Sequence, residues 1–237
     1  MKTFSVIIPT LNEQQYISGI LNDIKKQTTQ PTEIIVVDGF SKDKTQKIIS
    51  QKFPYVKLYS TPPNVSSQRN YGAKNATADY LIFLDADTRL PDKNFFKKFS
   101  THMQNNQKMF CPYYLPYKSN PVIFTVYLFF NSMFFLFQNI SPSGAGSCIV
   151  IEKKLFIKLK GFNQEINFED IELIRRASKI VSFKMILQYI WVSDRRFKKY
   201  GVLKTTIQYL VLSILFLFNQ FNIKAGFSYQ FGKYNKK

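Results

Sequence analysis

Two carboxylates, Asp85 and Asp87, stand one residue apart at the end of the apolar run 80–84 (Tyr-Leu-Ile-Phe-Leu). Side chains at i and i+2 of an extended chain point to the same side. Such a pair offers hard oxygen ligands to Mg²⁺ or Mn²⁺, and a cation held there can grip a diphosphate. Asp-x-Asp also serves as a solvated turn after a buried strand, so its company decides its meaning. Two more polar clusters follow apolar runs in the same half: Pro9, Thr10, Asn12 and Glu13 after residues 4–8, and Asp38, Gly39 and Ser41 after residues 34–37. A second acidic pair, Glu169 and Asp170, opens an amphipathic stretch, where carboxylates complement a helix dipole. That pair follows Gly144-Ala145-Gly146-Ser147 and the apolar run 148–151, an order that points beyond simple charge compensation.

These groups need elements to position them. Residues 4–8, 34–37, 56–59 and 80–84 have the composition of strands, and Tyr16, Ile17, Ile20, Leu21 and Ile24 recur at helical spacing. Thr10 and Asn12 are placed to cap that helix. Residues 66–78 read as a helix leading into the strand that carries Asp85, and 153–159 as one ended by Gly161. Strands alternating with helices predict an α/β fold with a mainly parallel sheet, whose ligands sit beyond the carboxyl ends of the strands. Three such ends carry the polar clusters.

The 237 residues include 33 Lys and Arg against 15 Asp and Glu, a net charge of +18. A chain of this length buries one substantial core, as one domain or two tightly joined halves. The charge predicts a polyanionic partner: nucleic acid, an anionic membrane or phosphorylated substrates. No nucleic-acid-binding module accompanies the lysines, so nucleic acid is not the expected partner. Cys111 and Cys148 have neither metal spacing nor a disulfide framework, which suits a reducing cytoplasm. The first apolar run is too short for a signal peptide. Residues 119–151 and 205–223 are uncharged and near bilayer-spanning length, but Asn131, Ser132, Gln138, Gln208, Asn219 and Gln220 dilute them. They read as interfacial helices at the cytoplasmic face of a membrane, drawn by anionic headgroups, with packed core helices as the alternative. A crossing near 121–140 is disfavoured, since it would part Asp85 and Asp87 from Glu169 and Asp170.

With these segments in order, the chain resembles a family 2 glycosyltransferase, an inverting enzyme of GT-A (Rossmann-like) fold. The resemblance runs through Val6-Ile7-Ile8-Pro9-Thr10-Leu11-Asn12-Glu13, then Ile35-Val36-Val37-Asp38-Gly39-Phe40-Ser41-Lys42-Asp43-Lys44-Thr45, then Arg69-Asn70-x-Gly72-Ala73. It continues through Leu81-Ile82-Phe83-Leu84-Asp85-Ala86-Asp87-Thr88, Gly161-Phe162 and Phe168-Glu169-Asp170-Ile171-Glu172-Leu173-x-x-Arg176. Ser193-Asp194-Arg195-Arg196-Phe197-x-x-x-Gly201 is similar to the closing segment of a small, membrane-associated bacterial branch. The resemblance implies a catalytic domain over 1–200, with a nucleotide-sugar half (1–100) and an acceptor half (101–200), followed by a hydrophobic, basic segment at 201–237.

The resemblance also implies roles. Pro9, Thr10, Asn12, Glu13, Asp38, Gly39 and Ser41 would line the pocket for base and ribose, with Arg69 orienting the nucleotide or the carboxylate pair. Asp85 would hold ribose or metal, next to Ala86, and Asp87 would ligate Mg²⁺ or Mn²⁺ on the diphosphate. Asp170, with Glu169 beside it, would be the general base toward an acceptor hydroxyl on a lipid-linked or glycan acceptor. Arg195 and Arg196 would clamp the diphosphate, with a solvated basic turn as their other reading. Two features depart from the family. Its late metal-binding histidine has no counterpart, because the only histidine is His102; Asp194 is the candidate substitute. The Gln-x-x-Arg-Trp motif of processive synthases is absent, which favours transfer of a single sugar. Two alternatives remain: transfer to a polyprenyl phosphate, in the manner of dolichyl-phosphate mannose synthase, where no base is needed, and a non-catalytic nucleotide-binding protein at a membrane surface.

Overall fold

Side chains that alternate between two apolar layers build the centre of this molecule. The computed structural model describes residues 2–218 and Gln220. In strand β1 (Phe4–Thr10), Phe4, Val6 and Ile8 enter one layer and Ile7 the other. The first layer also receives the buried face of helix α1 (Ile17–Lys25), with Ile17, Ile20, Leu21 and Ile24 at the predicted helical spacing. β2 (Glu33–Asp38), α2 (Thr45–Lys52), β3 (Lys57–Ser60) and α3 (Val65–Asn75) follow. Next come β4 (Tyr80–Leu84), which is buried throughout, and α4 (Phe95–Gln104). The strands match the expected positions to within a residue or two, and continuous burial of β1, β2 and β4 is what a sheet covered on both faces demands.

The second half adds β5 (Met109–Pro116), α5 (Pro121–Phe137), β6 (Cys148–Glu152), α6 (Lys153–Lys158), α7 (Glu169–Ser178), β7 (Phe183–Val192), α8 (Arg195–Tyr200) and α9 (Val202–Leu217). Together they form one seven-stranded sheet in the order β3-β2-β1-β4-β6-β5-β7. Only β6 runs antiparallel to its neighbours β4 and β5. The fold is thus the expected mixed, mainly parallel sheet flanked by helices. Because β4 pairs directly with β6, the turn after β4 lies beside the glycine segment before β6: the Asp85 N–H donates to the Ser147 carbonyl at 3.1 Å. α3 lies close against β1, since a Cβ on Gly72 would sit 2.5 Å from Cγ2 of Ile7. That contact leads Arg69, one turn earlier, to the carboxyl ends of the central strands.

Two local expectations fail. Thr10 and Asn12 do not cap α1, whose N-cap position is Tyr16 with no side-chain cap bond. Thr10 donates instead to Asp38, while Asn12, at φ 57°, accepts from the Lys42 N–H. In the second half, Asn131 does more than dilute an apolar run. It is buried in α5, accepts from the Tyr114 N–H at 3.1 Å and donates to the Tyr114 carbonyl at 2.7 Å, so a primary amide straps α5 to β5. Among the described residues, no helix is long and apolar enough to cross a membrane.

Candidate active site

The carboxyl ends of β1 and β4 open into a cavity of about 250 Å³. Pro9, Glu13, Arg69, Asp85, Ala86, Asp87, Glu169, Asp170, Arg195 and Arg196 line it, together with Gly144 to Ser147. The two acidic pairs, far apart in sequence, therefore share one cavity.

Arg69 joins them. Its guanidinium donates to Asp85 Oδ1 at 2.8 Å, to Glu169 Oε1 at 3.0 Å and to the Gly146 carbonyl at 3.0 Å, and it lies 5.3 Å from the ring centroid of Phe162. Arg69 and Glu169 are both buried, so each carries the other's charge out of water, which is tolerable only as a pair. The neighbouring Asn70 clasps the backbone of Phe162, accepting from its N–H at 2.9 Å and donating to its carbonyl at 2.8 Å. Gly161 is required there: its φ is +71°, and a Cβ would sit 2.5 Å from Asn70 Oδ1. The Arg69-Asn70 and Gly161-Phe162 segments thus interlock in space.

Asp170 packs against Gly146. A Cβ on that glycine would lie 2.3 Å from Asp170 Oδ2, so only glycine lets the carboxylate occupy its place. Asp170 Oδ1 accepts from the Ile171 N–H at the start of α7. Burial raises the pKa of Asp170, opposed by Arg69. Glu169 is raised to about 8, first by burial and then by the charge of Asp170, with Arg69 lowering it. Burial, reinforced by neighbouring carboxylates, makes each a stronger base than a solvated carboxylate.

On the other side, Arg195 receives the donor-side acids. It contacts Asp87 Oδ2 at 3.1 Å and spans both oxygens of Glu13 at 3.0 and 3.1 Å. Burial raises Glu13 to about 7, with Arg195 opposing; burial also raises Asp87, with Arg195 again opposing and Asp85 adding to the rise.

Five expected pocket residues are not among those that line the cavity. Asp38 is fully buried, accepting from Thr10 Oγ1 at 3.0 Å, Ser41 Oγ at 2.5 Å, the Ser41 N–H at 2.7 Å and Gln46 Nε2 at 2.6 Å. Ser41 also accepts from the Asn12 N–H, and the Gly39 N–H bonds the Thr10 carbonyl. Thr10, Asn12, Asp38, Gly39 and Ser41 brace the β1 and β2 ends; they do not line the cavity. Asp194, the candidate substitute ligand, is not among the residues lining the cavity; it accepts from Ser119 Oγ at 2.6 Å and pairs with Lys198 at 2.8 Å. His102 sits on α4 against Phe110. Among the described residues no cluster of three or more His, Cys, Asp or Glu could hold a metal. Asp85 and Asp87 offer hard oxygen donors of the kind Mg²⁺ or Mn²⁺ takes, and Glu13, Glu169 and Asp170 bring further carboxylates to the same cavity.

Sequence reasoning did not foresee the Glu13–Arg195 pair, which spans 182 residues. It also missed the aromatic side of the cavity, including Tyr114, Tyr127 and Tyr209. The Gly-x-Gly-Ser segment was the available signal for close backbone approach to Asp170.

Residues 5–160 match the family model described as Glycosyl transferase family 2. The chain belongs to this family. A Haemophilus influenzae relative, an uncharacterized glycosyltransferase, is 35% identical over 115 residues, covering 46% of each protein. Among solved structures, Staphylococcus aureus TarS 1-349 in complex with UDP superposes with a TM-score of 0.64 at 21% identity, over 90% of this chain and 65% of that one. The mannosyltransferase PcManGT from Pyrobaculum calidifontis, in complex with GDP-Man and Mn²⁺, gives 0.66 at 18% identity, over 89% and 64%. At these identities the likeness is one of fold. This family 2 chain spans less than two thirds of each of these three proteins.

Proposed function

We propose that this glycosyltransferase moves a single sugar from a nucleoside-diphosphate sugar to an acceptor hydroxyl, inverting the anomeric carbon, with Mg²⁺ or Mn²⁺ as cofactor. The observation that carries this reading is the Arg69 bridge between Asp85 and Glu169 within one cavity. It joins a carboxylate suited to the diphosphate end of a donor with a pair suited to an acceptor.

Asp85 and Asp87 would hold the cation, and Arg195, which lies beside Asp87, would reach the diphosphate together with Arg196. A cation at these carboxylates would supply charge neutralisation to the departing nucleoside diphosphate. Asp170 takes the proton of the acceptor hydroxyl as that oxygen bonds to the anomeric carbon and the bond from that carbon to the diphosphate oxygen breaks. A single displacement of this kind inverts the centre. The raised pKa of Asp170 favours its work as a base, while Glu169 keeps Arg69 in place. A buried, basic carboxylate pair also favours hydroxyl attack over attack by an ionised phosphate, which needs no base.

The working place is the cytoplasmic face of a membrane. In support, α5 exposes Leu128, Phe129 and Leu136, α9 exposes Leu203, Ile207 and Ile214, and the chain carries a net charge of +18. The carboxy-terminal part of the hydrophobic, basic segment lies outside the described residues. The test is a thermal-shift panel of nucleoside diphosphates with Mn²⁺. The one that binds should stabilise the protein by about 2.7 kcal/mol at a hundred times its Kd. No stabilisation by any of them would remove the reading.

A further inference from the structure

Past the carboxylates the cavity changes character. Its far wall is formed by Tyr127, Phe130 and Phe134 of α5 and Tyr209, Leu212 and Phe216 of α9. These rings brace one another. Phe130 meets Tyr209 at 5.7 Å between centroids, and Phe216 meets Phe168, the residue before Glu169, at 5.0 Å. Both helices are pinned to the body of the protein. Asn131 straps α5 to β5, and Arg175 of α7 donates to the Phe216 carbonyl near the end of α9 and to Ser141 Oγ. The wall is therefore a built part of the site.

Of the lining residues on α5 and α9 only Tyr127, Tyr209 and Ser213 carry hydroxyls, too few to partner those of a hydrated glycan, each of which costs about 1–3 kcal/mol when buried unpaired. An apolar body gains instead, by about 25 cal/mol for each Å² withdrawn from water. The same two helices carry exposed apolar side chains on their outer faces, in a chain whose +18 charge suits an anionic bilayer. Aromatic lining inside and apolar surface outside belong to the same elements.

We propose that the acceptor hydroxyl is carried by a membrane lipid, whose apolar body lies between α5 and α9 with the hydroxyl at Asp170, and that Leu212 is a specificity-determining residue of this subsite. The inference rests on the sugar-transfer reading and adds the acceptor's chemical class. Two probes separate the sources of such a hydroxyl: a long-chain primary alcohol, and the same chain carrying one sugar. Use of either, with failure of a short water-soluble oligosaccharide, is the expected result.

Leu212→Asn should raise the KM for the accepted lipid about tenfold or more and leave the KM for the nucleotide sugar unchanged, while Leu212→Met, which conserves volume, retains activity. Independently of turnover, a long-chain alcohol bearing a diazirine should label α5 and α9 in wild-type protein when a nucleoside diphosphate and Mn²⁺ are present. Labelling elsewhere, or a preference for the oligosaccharide with an unaltered KM in Leu212→Asn, would overturn the proposal. Nucleotide stabilisation, measured alongside, separates the two readings. If the nucleotide stabilises and the alcohol fails to label, the lipid subsite is wrong and sugar transfer stands; if no nucleotide stabilises, both fall.

Discussion

Gly146→Ala puts the geometry of the base under direct strain. The new Cβ would lie 2.3 Å from Asp170 Oδ2, 2.9 Å from its Cγ and 3.0 Å from its Cβ, where ordinary contact begins at 3.4 Å. The carboxylate must therefore retreat by about 1 Å, and rotation about χ1 does not relieve the contact with its Cβ. Overpacking of this kind costs about 1–3 kcal/mol of stability. A displacement of about 1 Å at a reacting group costs about a hundredfold in rate, or about 2.7 kcal/mol of barrier. The assay is steady-state transfer with the nucleotide sugar varied, together with urea denaturation. kcat should fall about a hundredfold, while the KM for the nucleotide sugar changes by less than about twofold. In an Asp170→Ala background, most of the contact disappears, so Gly146→Ala should there cost clearly less stability. Wild-type kcat in Gly146→Ala, or an equal stability loss in both backgrounds, would refute the reasoning.

Other perturbations act on the buried charges. Arg69→Met leaves Glu169 buried without its partner and should cost about 3–5 kcal/mol in urea denaturation above pH 8, where the carboxylate is ionised. The deficit should shrink at neutral pH, because Glu169, raised to about 8 in the wild type and higher without Arg69, is then protonated. Glu13 titrates in the folded protein at about 7 rather than at its ordinary 4.5, so folding favours its protonated form. Its contribution to stability is complete below about pH 4.5 and is lost as pH rises through 7. Glu13→Gln should flatten that part of the ligand-free stability profile; an unchanged slope between pH 4.5 and 7 would contradict the assignment.

What the sequence disclosed and what it concealed divide along the range of the interactions. β1, β2 and β4 are legible because each is a short apolar run ending in polar residues, and a strand needs little more than its own composition to declare itself. α7 is legible from Glu169, Asp170 and the apolar period that follows. Long-range pairing has no such local signature. Arg69 finds Glu169 a hundred residues away, and Arg195 finds Glu13 at 182, through topology alone. Asp38 looks like a ligand because a carboxylate at a strand end usually meets solvent or substrate; four donors from its own surroundings claim it. Thr10 and Asn12 have capping chemistry, but the β2 end competes for their side chains and wins. β5 and β7 escaped notice because Pro112, Pro116 and the polar residues of 183–192 disguise two strands whose pairing shifts register between Pro112 and Tyr113.

The most direct measurement compares Asp87→Ala and Asp170→Asn side by side, in metal-dependent nucleotide binding and in sugar transfer. Asp87→Ala should lose both. Asp170→Asn should bind the nucleoside diphosphate with Mn²⁺ nearly as well as wild type and transfer no sugar, because its carboxylate acts only on the acceptor. Transfer at the wild-type rate in Asp170→Asn, or undiminished Mn²⁺-dependent binding in Asp87→Ala, would contradict the division of the cavity into a donor end at Asp85 and Asp87 and an acceptor end at Asp170.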